Sequence, residues 1–429
     1  MTRWASFVRL AGLCTAIGLV SAGFWPGESW AQGEISQTDE EADKAQYEAA
    51  KTQADVLALC QLVEANYAYL EGREAIWSEA CETGAVDALD PQSHTPAGRV
   101  ALLERMIDQL HDNHISLNTN TSVSPRLVPS GSDYFLALDG DRAMVTAVRP
   151  KSGAASAGLQ VGDEVIAING VPIADAAFER IQAARDDVSA ERYSWAMNAQ
   201  AAGYRGAARR VQVRRDGDTL TLDLGDPEPQ DVEKLVTYAV LPGNVGYIRF
   251  EDSLGEAATV AEFDEALDML RGVGSWIIDL RNTPGGGNTG TAEPILGRFI
   301  RGVKPYQRSG PRWHGDEVRY VSSRGPWRVR GRVAVLAGHW TGSMGEGMAM
   351  GFDGLRRGRV FGSDMAKLAG GVEAFELPGS GISVRFPAYD LLHVRGGSRH
   401  HWHPPYRVLA DNGDGPDFAL NEALAWVRR

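Results

Sequence analysis

Residues 331–349 read Gly331-Arg-Val-Ala-Val-Leu-Ala-Gly-His-Trp-Thr-Gly-Ser-Met-Gly-Glu-Gly-Met-Ala349 and set the architecture of the second half of the chain. The apolar run Val333 to Ala337 predicts a buried strand, and a small-residue turn and a segment with helical spacing follow it. Ser343 therefore lies where a helix begins, beside the N–H of Met344, which has no partner within that helix. A hydroxyl next to free backbone donors suits acyl transfer, because the donors can stabilise an oxyanion. The alternative is that Ser343 only caps the helix.

A second stretch, Gly274-Ser-Trp-Ile-Ile-Asp-Leu-Arg-Asn-Thr-Pro-Gly-Gly-Gly-Asn288, predicts another apolar strand that ends in a glycine-rich loop. Three successive glycines permit backbone conformations that are closed to other residues, and they permit close approach of a ligand. We expect this loop to aim the N–H of Gly286 at the oxygen that Ser343 would generate. The alternative is a plain loop between a strand and a helix.

Together the two stretches resemble the C-terminal-processing and tricorn-type serine peptidases. Those enzymes carry an Asp-Leu-Arg-x-x-x-Gly-Gly loop and, later, a nucleophilic Ser followed three residues on by Glu; here these are residues 279–286, Ser343 and Glu346. The resemblance implies a crotonase-like core, with Ser343 as nucleophile and the N–H groups of Gly286 and Met344 as the oxyanion hole. From the residues themselves, strands alternating with helices predict an α/β core with a largely parallel sheet over residues 232–429.

The segment before the core resembles a bacterial-type PDZ domain over residues 131–226. The resemblance lies in the pattern Ala-Gly-Leu followed by Gly-Asp-x-Val-x-x-Ile-Asn-Gly, within residues 157–170. A helix at 174–184 and a hairpin at 210–224 complete the expected module. PDZ domains bind extended chain ends by adding a strand to a sheet edge, and we expect that edge at Tyr134, Phe135 and Leu136. The alternative is a PDZ fold that serves as a spacer.

The N-terminus has the pattern of a secretory signal peptide over residues 1–31. Arg3 and Arg9 precede an apolar run, Leu10 to Phe24, and Ser29-Trp-Ala31 offers small residues for cleavage after Ala31. The run is too short for a firm transmembrane helix, so we expect membrane contact only through this transient segment and a periplasmic or secreted mature chain. Residues 32–41 are polar and expected to be disordered, and residues 42–120 are expected to form a small helical domain.

The size and net charge of the chain restrict the classes of partner that it can be expected to bind. The 429 residues suffice for two or three domains, and the mature chain has 41 basic and 55 acidic residues, a net charge of −14. That charge gives no electrostatic case for nucleic acid, so the expected partners are protein or peptide substrates. The mature chain keeps Cys60 and Cys81, a candidate disulfide in an oxidising compartment, with two unpaired core cysteines as the alternative. The sequence carries no signal for the oligomeric state.

Ser343 needs a base, and the resemblance offers two. In the tricorn-type branch the base is a histidine from the domain before the PDZ, and His114 stands in that position; neutral imidazole, with a pKa near ~6.5, suits the role. The alternative is a loop or capping histidine. In the processing branch the base is a lysine, but that position falls on Leu368 here. Lys367 is one residue off, which on a strand would turn it to the other face, so it is kept as the alternative base.

The third catalytic group has no clear candidate. The tricorn-type branch has a late Glu, whereas this chain reads Ser398-Arg-His-His-Trp-His-Pro404 in that region. Glu346, Glu373 and Asp390 are candidate orienters of the histidine. The cluster of histidines in 400–403 lacks the carboxylate or cysteine spacing of a metal site, so we expect neither a metal nor another cofactor.

Two functions follow. The leading hypothesis is a serine endopeptidase that cleaves exported protein substrates, with the PDZ domain holding part of the substrate. The competing hypothesis, motivated by the missing late Glu and the displaced lysine, is a catalytically inactive peptide-binding protein on the same scaffold.

Overall fold

A computed structural model describes residues 37–182, 188–225, 227, 233–252, 254–310, 317–408 and 415–429. The predicted signal peptide and its cleavage after Ala31 lie outside the described residues. Within these ranges no helix combines the length and the apolar character needed to cross a bilayer. Residues 45–429 form one compact unit.

Three helices open the described chain: α1 Gln37–Asn66, α2 Glu74–Asp87 and α3 Pro96–Asp108. Helix α3 begins where the Thr95 hydroxyl accepts the N–H of Gly98 at 3.0 Å, with Pro96 at a position that needs no N–H. The disorder predicted for residues 32–41 is wrong for 37–41, which belong to α1. Helix α2 falls within the region, residues 42–120, that was predicted to be helical.

A disulfide joins Cys60 of α1 to Cys81 of α2, with their Cα atoms 5.9 Å apart, so the pairing suggested by the sequence is confirmed. Closing a loop of 21 residues stabilises a fold by about 3 kcal/mol. The apolar core of these helices, which includes Leu59, Tyr67 and Trp77, also takes in side chains from a much later part of the chain, at residues 377–386.

The next module has the predicted PDZ-like arrangement. Strand β1, Ser116–Leu117, precedes this module. The strands of the module are β2 Tyr134–Asp139, β3 Arg142–Val148, β4 Glu164–Ile168, β5 Val171–Pro172, β6 Arg209–Arg215 and β7 Asp218–Leu224. Its helices are α4 Gly153–Ser156, α5 Ile173–Ile181 and α6 Ala190–Ala202. The sheet runs β2-β3-β4-β6-β7, with β5 paired to β4. The β6–β7 hairpin turns at Asp216-Gly217, both with positive φ, as a two-residue type I′ turn requires. Helix α6 was not predicted.

The remaining elements form the core and its flanking sheets. The strands are β8 Val236–Leu241, β9 Val245–Phe250, β10 Ser275–Asp279, β11 Val303–Ser309, β12 Glu317–Ser322, β13 Val333–Ala337, β14 Arg359–Gly362, β15 Gly371–Glu376, β16 Ser383–Tyr389, β17 Leu391–His393 and β18 Tyr406–Arg407. The helices are α7 Ala258–Met269, α8 Thr289–Gly297, α9 Met344–Gly354 and α10 Phe418–Val427. The central sheet runs β18-β14-β13-β10-β9-β8, and only the β8–β9 pair is antiparallel.

Two small sheets flank this core, β1-β16-β15 and β12-β11-β17. In the first, Ser116 pairs with Arg385 and Leu117 with Val384. This pairing carries the chain that follows α3 to the edge of the core, because apolar residues of β16 are buried among the N-terminal helices. The region around His114 is thereby brought to the end of β13.

Candidate active site

Ser343 stands between a fully buried strand, β13, and the first turn of α9. Its backbone has φ 46° and ψ −107°, a conformation that costs a residue other than glycine about 1–3 kcal/mol. Such a conformation persists only where the surroundings impose it. Here the carboxylate of Glu346 accepts the N–H of Ser343 at 2.8 Å and holds the turn.

The Ser343 hydroxyl lies 3.0 Å from Nε2 of His114, although 229 positions separate the two residues. His114 is fixed by Asp112, which accepts the His114 N–H at 2.8 Å on one carboxylate oxygen and the Tyr67 hydroxyl at 2.8 Å on the other. The structure thus places the predicted nucleophile and the predicted base within hydrogen-bond distance.

The other imidazole nitrogen is held by the main chain. Nδ1 of His114 lies 2.6 Å from the carbonyl oxygen of Ala369. A carbonyl can only accept, so Nδ1 carries the proton and Nε2 is free to accept the hydroxyl proton of Ser343. This is the tautomer that a base for serine requires.

The Ala369 carbonyl is positioned by two buried side chains. The Glu346 carboxylate accepts the N–H groups of the two preceding residues, each at 3.0 Å. The Arg399 guanidinium donates to the carbonyl groups on either side of Ala369, the later one at 2.8 Å. The loop is therefore clamped on both sides of the oxygen that contacts His114.

These surroundings shift two pKa values. Burial lowers the pKa of His114 to about 4, and the positive charges of Arg399 and Arg385 act in the same direction. The imidazole is therefore neutral at physiological pH, as a base must be. Burial raises the pKa of Glu346 to about 7, against the opposing effects of Arg399 and the three N–H groups that it accepts.

Of the two N–H groups predicted to form the oxyanion hole, one lacks an acceptor among the described residues and the other already has one. In the part of the chain that the structure describes, the Met344 N–H has no acceptor, as predicted. The Gly286 N–H is not free: it donates to the Thr283 carbonyl at 3.2 Å, because the glycine-rich loop closes as a turn. Gly286 is needed for space instead, since a Cβ there would lie 2.4 Å from Cβ of Ser343. Gly285 lines the cavity, and no acceptor for its N–H is found among the described residues.

The Asp-Leu-Arg motif supports the two loops without touching the reacting groups. Asp279 is buried and accepts a hydrogen bond from the Arg281 side chain at 2.7 Å. Burial alone would raise the pKa of Asp279, but the guanidinium groups of Arg281 and Arg249 hold that pKa well below its usual range. Further on, the Thr283 N–H donates to the Trp340 carbonyl at 3.0 Å, which ties the glycine-rich loop to the turn before Ser343.

A cavity of about 540 Å³ opens over these residues and is lined by His114, Ser343, Met344 and Arg399 among others.

Residues 244–405 match the sequence model of Peptidase family S41, and residues 144–188 match that of a PDZ domain. Ser343, Ala369 and Arg399 lie within the first match, while His114 lies before it. This chain is a PDZ-containing serine peptidase of family S41.

Solved structures with the same fold agree. A photosystem II D1 C-terminal processing protease is 17% identical, with 83% of this chain and 93% of that chain covered and a TM-score of 0.51. Mature CPAF complexed with lactacystin is 13% identical, with 89% of this chain and 97% of that chain covered and a TM-score of 0.56. A putative peptidase from Parabacteroides merdae is 15% identical, with 88% of this chain and 96% of that chain covered and a TM-score of 0.52. At these identities the likeness concerns the fold.

The other predicted catalytic side chains of this S41 peptidase are occupied elsewhere. Glu346 holds the loop and does not bond to His114, so its prediction as a direct orienter is wrong. Asp390 accepts the Tyr69 hydroxyl at 2.6 Å, and Glu373 is an exposed residue of β15. Lys367 lies in a loop, not a strand; its side chain is 51% exposed and its Nζ is 3.9 Å from Asp364.

The histidines of residues 400–403 serve local contacts. His403 lies 3.0 Å from Asp364, and His400 packs against Tyr69 and His401. Across the described ranges, no group of three or more side chains could hold a metal ion.

The predicted peptide-binding edge of the PDZ module is already in use. Strand β2 is the edge strand, as expected, but Tyr134 is buried and the ring of Phe135 stacks on His339 of the core at 4.5 Å. The side-chain amide of Asn198 on α6 donates to the Leu136 carbonyl at 3.0 Å and accepts the Leu136 N–H at 2.9 Å. A peptide cannot pair with Leu136 while α6 is in place, so the predicted role of this edge is wrong for this arrangement.

Sequence reasoning missed Ala369, Arg399 and Asn198. A backbone carbonyl carries no residue-type signal, so Ala369 could not have been found. Arg399 stands beside the histidines that were weighed as metal ligands. A single asparagine among the alanines of α6 was the one available sign that a helix there has a polar task.

Proposed function

We propose that this S41 peptidase is an endopeptidase of exported proteins, with Ser343 as nucleophile and His114 as its general base. The observation that carries the proposal is the 3.0 Å contact between Nε2 and Oγ, in a histidine whose Nδ1 is fixed as the proton carrier by Ala369. Both features that motivated an inactive binding protein are accounted for, since the Ala369 carbonyl replaces the missing late Glu and His114 makes the lysine unnecessary.

The proposed reaction begins when Oγ of Ser343 attacks the peptide carbonyl carbon as its proton passes to Nε2 of His114. The resulting oxyanion accepts the Met344 N–H and an N–H of the glycine-rich loop, for which Gly285 is the available donor. The intermediate collapses as His114 gives its proton to the leaving amine, and an acyl-enzyme remains. Water then repeats the sequence, losing a proton to His114, and the carboxylic acid product leaves with Ser343 restored.

A carbonyl in the orienting position differs from a carboxylate in charge. It fixes the imidazole and its tautomer, but it offers the developing imidazolium only a dipole. Two arginines near His114 oppose that positive charge further. We therefore expect a modest rate, with positioning contributing more than electrostatic stabilisation of the histidine.

Three finer points belong to the same proposal. The core is crotonase-like, residues 1–31 direct the chain out of the cytoplasm, and the substrates are protein segments. One structural neighbour is a photosystem II D1 C-terminal processing protease, which supports protein substrates for this chain as well. The PDZ module is proposed to act chiefly as a support for the site, because its Ser132 carbonyl accepts the Trp340 indole N–H at 2.8 Å beside the nucleophile turn.

The test is labelling with a fluorophosphonate probe followed by peptide mapping. Wild-type protein should be labelled on Ser343, and Ser343→Ala should lose both labelling and hydrolysis, the latter by roughly 10⁴–10⁶-fold. Ser322→Ala, an exposed serine on β12, is the matched control and should keep both. Cleavage by purified Ser343→Ala at the wild-type rate would reject the proposal.

A further inference from the structure

The cavity at Ser343 is basic, although the protein is acidic. The full chain has a formal net charge of −13. The charged side chains that line the cavity are Arg319, Arg385, Arg399 and Glu317, three cations and one anion. Clefts lined by one sign of charge concentrate ligands of the opposite sign.

Two of these arginines have no carboxylate partner. Arg319 lies 2.9 Å from Glu293, which compensates its charge. In the described part of the chain no carboxylate lies within 4.0 Å of Arg385 or Arg399. Arg385 is exposed on β16 directly opposite Ser116, two residues beyond the catalytic histidine. It makes no hydrogen bond to any described side chain, so its guanidinium is available to a substrate.

The side-chain oxygen of a buried amide deeper in the cavity also lacks a partner among the described residues. Gln307 lines the cavity and is 2% exposed, yet its Oε1 has no hydrogen-bond partner among the described residues. An unpaired buried polar group costs about 1–3 kcal/mol. Gln307 and Arg399 approach Gly347 together: a Cβ there would lie 3.1 Å from Oε1 of Gln307 and 3.7 Å from Nη1 of Arg399. Both therefore lie under the first turn of α9, beside the nucleophile.

We propose that this cavity selects substrates that present a carboxylate next to the scissile bond. Arg385 attracts and binds it at the rim, and the Arg399 guanidinium offers donors further in. The Oε1 atom of Gln307, unpaired among the described residues, is an acceptor, so it can take only an N–H of the same substrate. An acidic side chain and the carboxylate of a chain end share this chemistry. The inference rests on the proposed peptidase function, and it goes beyond it by naming what the substrate must carry.

The first test measures binding, so it does not depend on cleavage. Four fluorescein-labelled peptides combine Glu or Gln at every second position with a free or an amidated C-terminus. Their Kd values for Ser343→Ala are measured by fluorescence anisotropy at low ionic strength. We expect the Glu peptide with an amidated end to bind roughly 5–10-fold more tightly than its Gln counterpart, and this advantage should shrink at high salt. If only the free end confers the advantage, the carboxylate is that of a chain end.

The second test repeats these measurements in Ser343→Ala carrying Arg385→Gln or Arg385→Glu. The preference for carboxylate-bearing peptides should fall severalfold in the first and disappear in the second. Arg142→Gln, an exposed arginine of the PDZ module, is the matched control and should leave the preference unchanged. Equal Kd values for all four peptides, or an unchanged preference in Arg385→Glu, would overturn the inference. Neither result would touch the proposed function, which stands or falls with labelling of Ser343.

Discussion

The catalytic cavity and the edge of strand β2 were expected to be the two substrate-binding surfaces, and they differ in one respect. At the cavity, the Met344 N–H, the Oε1 atom of Gln307 and the Arg385 guanidinium have no partner in the described part of the chain. At the β2 edge, Asn198 satisfies both main-chain groups of Leu136.

The difference shows what a sequence resemblance conveys. Both surfaces were predicted from sequence resemblance. Availability depends on whether the polar groups are already paired, because a paired group gains little by exchanging one partner for another. Asn198, a single residue of α6, is enough to change the outcome.

The strongest test of the cavity is the choice of base. His114→Ala should lower kcat/KM by roughly 10³–10⁴-fold, because it removes the imidazole nitrogen that lies 3.0 Å from the Ser343 hydroxyl. Lys367→Ala should keep kcat/KM within about twofold of wild type, since its side chain points to Asp364 and solvent. Both are measured with one peptide after circular dichroism has shown equal folding. The reverse ranking would restore the Ser/Lys assignment.

The clamp around Ala369 is the next target. Arg399→Ala should lower kcat by roughly 10–100-fold, because the carbonyl that orients His114 loses its support. It should also raise the pKa of the acid limb, since a cation near His114 is removed. Arg407→Ala, which loses only an ion pair to Asp364 in the same region, serves as control. A fall in kcat with no shift of the acid limb would indicate a general loss of structure instead.

On the PDZ side, Asn198→Ala should lower the free energy of unfolding by about 1–3 kcal/mol, because it leaves two buried main-chain groups of Leu136 unpaired. Urea denaturation measures this, and Gln200→Ala on the same helix, which loses one bond to the Ala176 carbonyl, is the control. An Asn198→Ala variant as stable as wild type would mean that the edge is not held closed by this contact.

The smallest expected effect is a displacement of the pH profile. A histidine base must be neutral, so kcat/KM rises as pH rises through its pKa; burial with Arg399 and Arg385 lowers that value to about 4, while Asp112 opposes them. The acid limb should therefore lie well below the neutral region expected for a free histidine. Glu346, with its pKa raised to about 7, should add a shallow inflection there that Glu346→Gln abolishes. A single limb near pH 6.5 in both proteins would contradict these assignments.

Much of the fold could be predicted because the central strands are continuous apolar runs. Strand β13 has the bounds that its sequence predicts. Helix α6 could not be predicted, since it buries alanines and shows little apolar periodicity. Within the site, Ser343 and His114 have residue types that chemistry requires. The bonded N–H of Gly286 and the carbonyl of Ala369 are backbone groups, and their geometry emerges only from the folded loops.

The pairing of β1 with β16 has a consequence for the timing of activity. A chain that emerges from its N-terminus has His114 early, but the Ser343 hydroxyl that it contacts comes more than two hundred residues later. The carbonyl that fixes the imidazole and the arginine that supports that carbonyl come later still. A partly synthesised chain therefore lacks part of the set of groups that meet at Ser343. If His114 is the base, as proposed, the peptidase is inactive until almost its whole length has folded, and a fragment confined to residues 244–405 lacks that base.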